Sequence, residues 1–179
     1  MRRRPTLTPE ERKPITDPER ARKRTMDRAV RLLAAKPRSV AELRERLLEK
    51  GWTNEDIVDA AIAKLREYNY LDDEQYAREL ALSKLRQKPQ GRRRLQQRLS
   101  QKKLDRSTLD SAIANAYEVM PEAQLIDAAI EKRMRLKGFP ASHDDRKKFT
   151  EHLMRQGFDY GLIREKLAEL KPDDEIGDE

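Results

Sequence analysis

The chain has 179 residues, 41% of them charged and 36% hydrophobic, with a formal net charge of +7 and no cysteine. That is too little apolar matter for one thick core, but enough for thin helical layers stacked side by side. A disulfide framework and a thiolate metal site are excluded, no apolar run approaches the roughly 20 residues that span a bilayer, and the basic N-terminus lacks the apolar stretch of a secretory signal.

Residues 1–24 carry four prolines and few large apolar groups. They bury too little to offset ordering entropy and are expected to form a basic disordered extension. Helices are expected from about Thr25 to nearly Leu170. Residues 171–179 hold five acids and one lysine, an acidic tail of net charge −4. No sustained alternation or Val/Ile/Thr-rich run marks a strand.

Between these ends lies a repeat. The spacing Leu43-x3-Leu47-x3-Gly51-Trp52-x4-Ile57 returns as Leu95-x3-Leu99-x3-Lys103-Leu104-x4-Leu109. It returns again as Phe149-x3-Leu153-x3-Gly157-Phe158-x4-Ile163. Each copy reads as a helix, a tight turn with a bulky apolar residue, and a second helix, with a long helix ahead of the pair. The expected fold is all-α: an elongated array of three tandem three-helix, helix-turn-helix-like repeats over residues 25–71, 72–120 and 121–170.

Caps agree with this division. Ser39 with Glu42, Thr53 with Asp56, and Asp72 with Gln75 read as capping boxes. Pro121 suits a first helical position. Gly51, Gly138 and Gly157 sit where a left-handed residue should end a helix.

The charge is not spread evenly. Lys84–Arg106 holds ten Lys or Arg and one acid, Asp105, which nets +9 in a chain that nets +7. Such a block points to a polyanionic or acidic partner. On a helical wheel Leu95 and Leu99 face inward. Arg93, Arg94, Gln97 and Gln101 face outward, with Arg98 on the flank. Three arginines in a first turn oppose the helix dipole. Contact with phosphate or carboxylate explains them, since the guanidinium pairs bidentately with either; a merely solvated face is the alternative. Lys88, Arg92, Arg93, Arg94, Arg98, Lys102 and Lys103 are the candidate residues for binding a partner or DNA.

Other residues read as structural. Trp52 matches Phe158 in the repeat and is expected in the core. Tyr68, Tyr70 and Tyr76 are expected to pack between the first two repeats rather than stack on bases. Asp72, Asp73 and Glu74 cap a helix and favour its dipole. His143 and His152, the only histidines, match no metal-ligand spacing. With no phosphate loop, nucleophile elbow or dinucleotide motif, an enzyme is not expected, and no cofactor is implied.

Leu71-Asp72-Asp73-x-x-Tyr76-Ala77, followed by Pro89-x-Gly91-x-Arg93-Arg94-Leu95-x3-Leu99, resembles the central motif of the RecX regulatory proteins, and the tandem repeats are similar to theirs over about residues 26–170. The resemblance implies a bacterial cytoplasmic protein, expected to be a monomer without a membrane contact. Its implied partner is the RecA recombinase filament, in whose helical groove it would lie. It would inhibit RecA, and so modulate recombination, DNA repair and the SOS response; some members also bind DNA. Lys103 departs from the pattern, because glycine is expected at the end of that helix. The alternative reading of the basic helix is a DNA-binding protein with tandem helix-turn-helix-like units, acting without RecA. The second helix of the first repeat, with three acids against three bases, speaks against it.

Overall fold

A computed structural model describes residues 15–170, and among them it contains nine helices and no strand. They are α1 (Pro18–Ala35), α2 (Val40–Leu48), α3 (Glu55–Glu67), α4 (Asp73–Gln87), α5 (Arg92–Ser100), α6 (Arg106–Val119), α7 (Glu122–Lys137), α8 (His143–Arg155) and α9 (Tyr160–Glu169). The acidic tail and most of the basic extension lie outside the described residues. Two compact units divide the chain: residues 15–77 with Ser100–Thr108, and Arg78–Leu99 with residues 109–170.

In the first unit, α1 begins at Pro18 rather than near Thr25. The Asp17 carboxylate accepts the Arg20 N–H at 3.0 Å, and Pro18 occupies the first turn, where its missing N–H costs nothing. Ala21, Thr25 and Ala29 then recur every four residues and are buried. These groups are small, so a reading that counts large apolar residues misses the face they form. Leu43, Leu47 and Leu48 of α2 close on Val58, Ile62 and Leu65 of α3, with Ala29 and Leu71 completing the core. Each such leucine contributes about 1.5–3 kcal/mol by leaving water.

The turns of this unit correct two expectations. The N-cap of α3 is Asn54, whose side-chain oxygen accepts the Ile57 N–H at 3.0 Å. Thr53 is buried instead, with its hydroxyl accepting from the Thr25 hydroxyl at 2.9 Å. Trp52 is not in the core: it is half-buried, with the Arg24 guanidinium 4.5 Å above its ring. Ser39 and Glu42 do form the expected capping box on α2.

The acidic trio at the start of α4 is structural. Asp72 Oδ1 accepts from the backbone N–H of Glu74 at 2.8 Å and of Gln75 at 3.0 Å. Asp73 Oδ1 accepts the Val40 N–H at 2.8 Å, tying the start of α4 to the start of α2. Burial holds the Asp73 carboxyl above the ordinary carboxylate range. The two exposed tyrosines, by contrast, do not pack as expected. Tyr68 is 57% and Tyr70 71% exposed, on the turn that Asn69 makes with φ of 57°. Of the three only Tyr76 turns inward, half-buried, its hydroxyl donating to Glu42 at 3.5 Å.

In the second unit one hydrophobic cluster joins six helices. Leu85 comes from α4, Leu95 and Leu99 from α5, Ile113 from α6, Ile126 from α7 and Leu153 from α8, with Phe158 and Ile163 at and in α9. Helices assigned from sequence to the second and third repeats thus share a core. Pro121 is the N-cap of α7 rather than its first residue, its carbonyl accepting from Gln124 and Leu125.

The end of α8 is a left-handed turn at Gly157, φ 89°. Phe158 N–H donates to Leu153 O and Gly157 N–H to Met154 O, which satisfies the last carbonyls of the helix. Gly157 then meets Gly91 backbone to backbone. Gly91 N–H donates to Gln156 O at 3.0 Å, and a Cβ on Gly91 would fall far inside contact distance of the Gly157 carbonyl and the Phe158 nitrogen. Neither backbone has a flexible end that can yield.

Gly51 was expected to be left-handed and is not. The positive φ values among the described residues are those of Asn69, Lys103, Gly138 and Gly157. Lys103, with φ of 54°, therefore keeps the glycine-like turn without the glycine.

Two substitutions test these turns. Gly91→Ala should cost at least about 2 kcal/mol by overpacking rigid backbone, whereas Gly161→Ala, whose Cβ would meet only the Asp159 side chain at 3.1 Å, should cost less. Equal melting temperatures would refute the close approach. At position 103, Gly should be more stable than Ala by about 0.5–1 kcal/mol, because both lose the lysine side chain and only Ala keeps the left-handed strain. A more stable Lys103→Ala would show that the turn is not left-handed in solution.

Candidate partner-binding site

The basic stretch is divided between the two units, and most of its cations already have partners. In the first unit Lys102 and Lys103 meet the acids of α2. Lys102 Nζ lies 3.1 Å from Glu42 Oε1, with its side chain only 21% exposed, and Lys103 Nζ lies 2.8 Å from Glu45 Oε2. The Ser39 hydroxyl donates to the Lys102 carbonyl at 2.6 Å. Two of the three acids that argued against a DNA-reading α2 are thus partners of the basic stretch. Arg44 and Arg46 are matched as well: Arg44 forks onto Asp59, with Nε at 2.7 Å from Oδ1, and Arg46 pairs with Glu49 at 2.9 Å.

Asp105, the lone acid of the stretch, caps α6. It accepts from the Ser107 hydroxyl at 2.6 Å and the Thr108 N–H at 2.9 Å. Those bonds hold its carboxyl far below the ordinary range.

In the second unit, Leu95 and Leu99 are fully buried as the wheel predicts, so α5 is fixed by its apolar face. Its first turn contains no acid, yet the dipole is not left uncompensated. Glu122, at the start of α7, reaches the α5 N-terminus: its Oε1 accepts the Arg92 N–H at 3.0 Å, and its Oε2 lies 3.3 Å from Arg92 Nε. The Arg92 guanidinium also covers the Tyr117 ring, 4.6 Å from its centroid. Tyr117 in turn donates its hydroxyl to Gln90 O at 2.9 Å. Burial, then the Glu122 charge, pushes the Tyr117 phenol far up, with Arg92 opposing.

Arg94 does not point outward as expected. It is half-buried, and its Nη1 donates to Arg155 O at 2.6 Å, at the C-terminal end of α8 where a cation meets both free carbonyls and the negative end of the dipole. Its backbone also touches the turn, since a Cβ on Gly157 would lie 2.5 Å from Arg94 N.

Arg93 is the outward cation. Its side chain is 76% exposed, and its one ionic neighbour among the described residues is Asp159, itself exposed, at 3.8 Å. Arg98 is half-buried and makes no ion pair with a described residue. Lys88 is exposed on the turn between α4 and α5. The structure therefore groups Lys88, Arg92, Arg93, Arg94 and Arg98 in one unit and Lys102 and Lys103 in the other. Within the first of these groups Arg93, Arg98 and Lys88 retain charge to spend on a partner.

Sequence reasoning did not find Glu42, Glu45 or Glu122 as partners, nor Gly157 as the neighbour of Gly91. Nothing local marks them, because each acts across 30 residues or more of chain. Among the described residues no group of three His, Asp or Glu is placed to hold a metal ion. His152 instead meets the Gln156 side-chain amide, Nε2 to Nε2, at 2.6 Å. No helix among them is long and apolar enough to cross a membrane.

Comparison with known proteins places these features. The family model for the first three-helix domain of RecX matches residues 26–65, and that for the second matches residues 72–113. A protein of Chlorobaculum tepidum named Regulatory protein RecX is 37% identical over 143 residues, spanning 79% of this chain and 85% of its own. A protein of the same name from Vibrio parahaemolyticus is 34% identical over 146 residues, 78% of this chain and 87% of its own. The crystal structure of RecX from Lactobacillus salivarius superposes with a TM-score of 0.75 at 19% identity, covering 85% of this chain and 99% of that one, which speaks to the fold alone. By its sequence relatives and its two matched domains, the chain belongs to the RecX family of regulatory proteins.

Proposed function

We propose that this chain binds a RecA recombinase filament and lowers its ATPase, strand-exchange and co-protease activities, thereby restraining recombination, repair and the SOS response. Family membership supplies the regulatory role. The observation that carries the contact is Arg93, a largely exposed side chain on a helix whose apolar face is locked into a core. A cation on a helix already fixed by its core brings no backbone ordering cost to the contact, and its fork pairs bidentately with carboxylate or phosphate. Arg98 and Lys88 extend the same charge.

The chain acts here as a cytoplasmic binding protein and a monomer, without cofactor or catalysis of its own. The three repeats 25–71, 72–120 and 121–170 are the units we assign to the filament groove, with the middle one distinguished by its basic helix. Occupying that groove obstructs the second DNA strand or the repressor substrate. The direct test is RecA ATPase on single-stranded DNA; an unchanged rate at stoichiometric excess of this protein would sink the proposal. Tight, sequence-specific DNA binding with no effect on RecA would support the tandem DNA-binding reading instead.

The arginines separate contact from architecture. Arg93→Glu should raise the concentration for half-inhibition about tenfold or more, a change of roughly 1.4 kcal/mol, with an unchanged melting temperature. Arg94→Ala should lower stability by about 1 kcal/mol through loss of its bond to Arg155 O. Inhibition by Arg93→Glu at the wild-type concentration would remove Arg93 from the contact.

A further inference from the structure

A second cluster of cations lies in the same unit, on a different face of the sequence pattern. A cleft of about 180 Å³ is lined by Lys88 and Pro89 from the turn before α5, by Lys132, Arg133, Leu136 and Lys137 from α7, and by His152 and Gln156 from the end of α8. The lining holds four permanent cations and a histidine, and no carboxylate. Arg44, Arg46, Arg92, Lys102 and Lys103, by contrast, each have an acid beside them.

The electrostatics of the cleft are unsatisfied in two ways. Arg133 is half-buried with its guanidinium 5.2 Å from the Phe149 ring centroid, and its buried Nε has no hydrogen-bond partner. A buried charged donor without an acceptor is costly, and no acid of the cleft lining offsets the Arg133 charge. His152 responds to the same field. Burial first, then the charges of Arg133, Arg155 and Lys88, hold its imidazole below its ordinary pKa. The ring is thus neutral near pH 7, and its Nε2 faces the Gln156 amide.

We propose that this cleft is a phosphodiester-binding site for single-stranded DNA, with Arg133 at its base, Lys88 on one wall and Lys132 and Lys137 on the rim. A strand suits it better than an acidic side chain does. A carboxylate brings one charge to four cations, whereas a polynucleotide brings one per nucleotide and can meet several in succession. Leu136, 71% exposed between the two rim lysines, gives a base or sugar an apolar surface. The site stands without the RecA reading, because it is tested with DNA alone.

The test is fluorescence anisotropy of a labelled oligothymidine titrated with the full chain across a range of salt. Lys132→Gln/Lys137→Gln removes two exposed charges and should not perturb folding. Lys147→Gln/Lys148→Gln, on the exposed side of α8 and outside the cleft, removes the same net charge. The first variant should weaken binding about tenfold and lower the salt slope by about 1.4, at about 0.7 per phosphate contact on a single strand. The second should change the slope by less than half of that. Equal effects, or no binding of oligothymidine by the wild-type chain at low salt, would overturn the proposal.

His152 gives an independent readout. A bound phosphate favours the imidazolium, so affinity should rise as pH falls into the range below the ordinary histidine pKa, where the depressed His152 ring takes up its proton. His152→Gln should lose most of that rise, while His143→Gln should keep it. An identical pH response in wild type and His152→Gln would count against the site.

Discussion

Two glycines in backbone contact set the geometry of the second unit. Gly91 opens α5 and Gly157 closes α8, and the Gly91 N–H bonds to the carbonyl of Gln156. No side chain can enter between them. Because the approach is made by main chain, it leaves almost no freedom in where α5 begins. That fixes the direction of its first arginines, brings Arg94 onto the Arg155 carbonyl, and sets Lys88 beside the end of α8. The sequence Pro89-x-Gly91-x-Arg93-Arg94-Leu95 is therefore a packing motif first. Its function depends on the packing, since an arginine displaced by a turn of helix would present its charge elsewhere.

The charge-rich composition takes on a different meaning once partners are assigned. A stretch of net +9 looks like a single polyanion-binding surface. In the folded chain, Glu42 and Glu45 take Lys102 and Lys103, Glu122 takes Arg92, the end of α8 takes Arg94, and Asp105 caps α6. Lys103 and Arg92 are about half exposed in their pairs, and an ion pair open to water is worth at most about 1 kcal/mol. They position more than they stabilise; the leucines of the two cores carry stability. What remains after pairing is a small set of cations with a weak counter-charge or none among the described residues, and the proposed binding rests on this remainder.

The apolar spacing was legible from sequence because it obeys a local period. Leu43 with Leu47, Leu95 with Leu99, and Phe149 with Leu153 each place two side chains on one face, and all six are buried. The Ser39 capping box was legible for the same reason, since its bonds span three residues. Locality also explains the failures. Thr53 and Asn54 are both good N-caps, and only the buried bond from Thr25, 28 residues away, draws Thr53 inward. Repeat alignment equates Trp52 with Phe158, but Phe158 enters a core built from six helices while Trp52 lies under Arg24 at the edge of a smaller one. The helical start at Pro18 was hidden by small residues, and the tyrosine exposure by a turn whose Asn69 turns the chain outward. The site was legible as a region of charge, but not as a set of residues. Which cation is free depends on acids 30 to 60 residues distant.

The first turn of α5 brings these points together. Three successive arginines at a positive helix end are unfavourable by their mutual repulsion and by the dipole. Glu122 relieves one side by accepting the Arg92 N–H and pairing with its guanidinium. Arg94 is drawn to the negative end of α8, where its charge is favourable. Arg93 is left between two satisfied neighbours, with exposed Asp159 at 3.8 Å as its counter-charge among the described residues. Its neighbours therefore fix the backbone that carries it and leave its side chain in solvent. The proposed contact rests on this arrangement: the costs of backbone ordering and of unfavourable placement are met by groups inside the protein, which leaves the exposed cation available to an anion outside it.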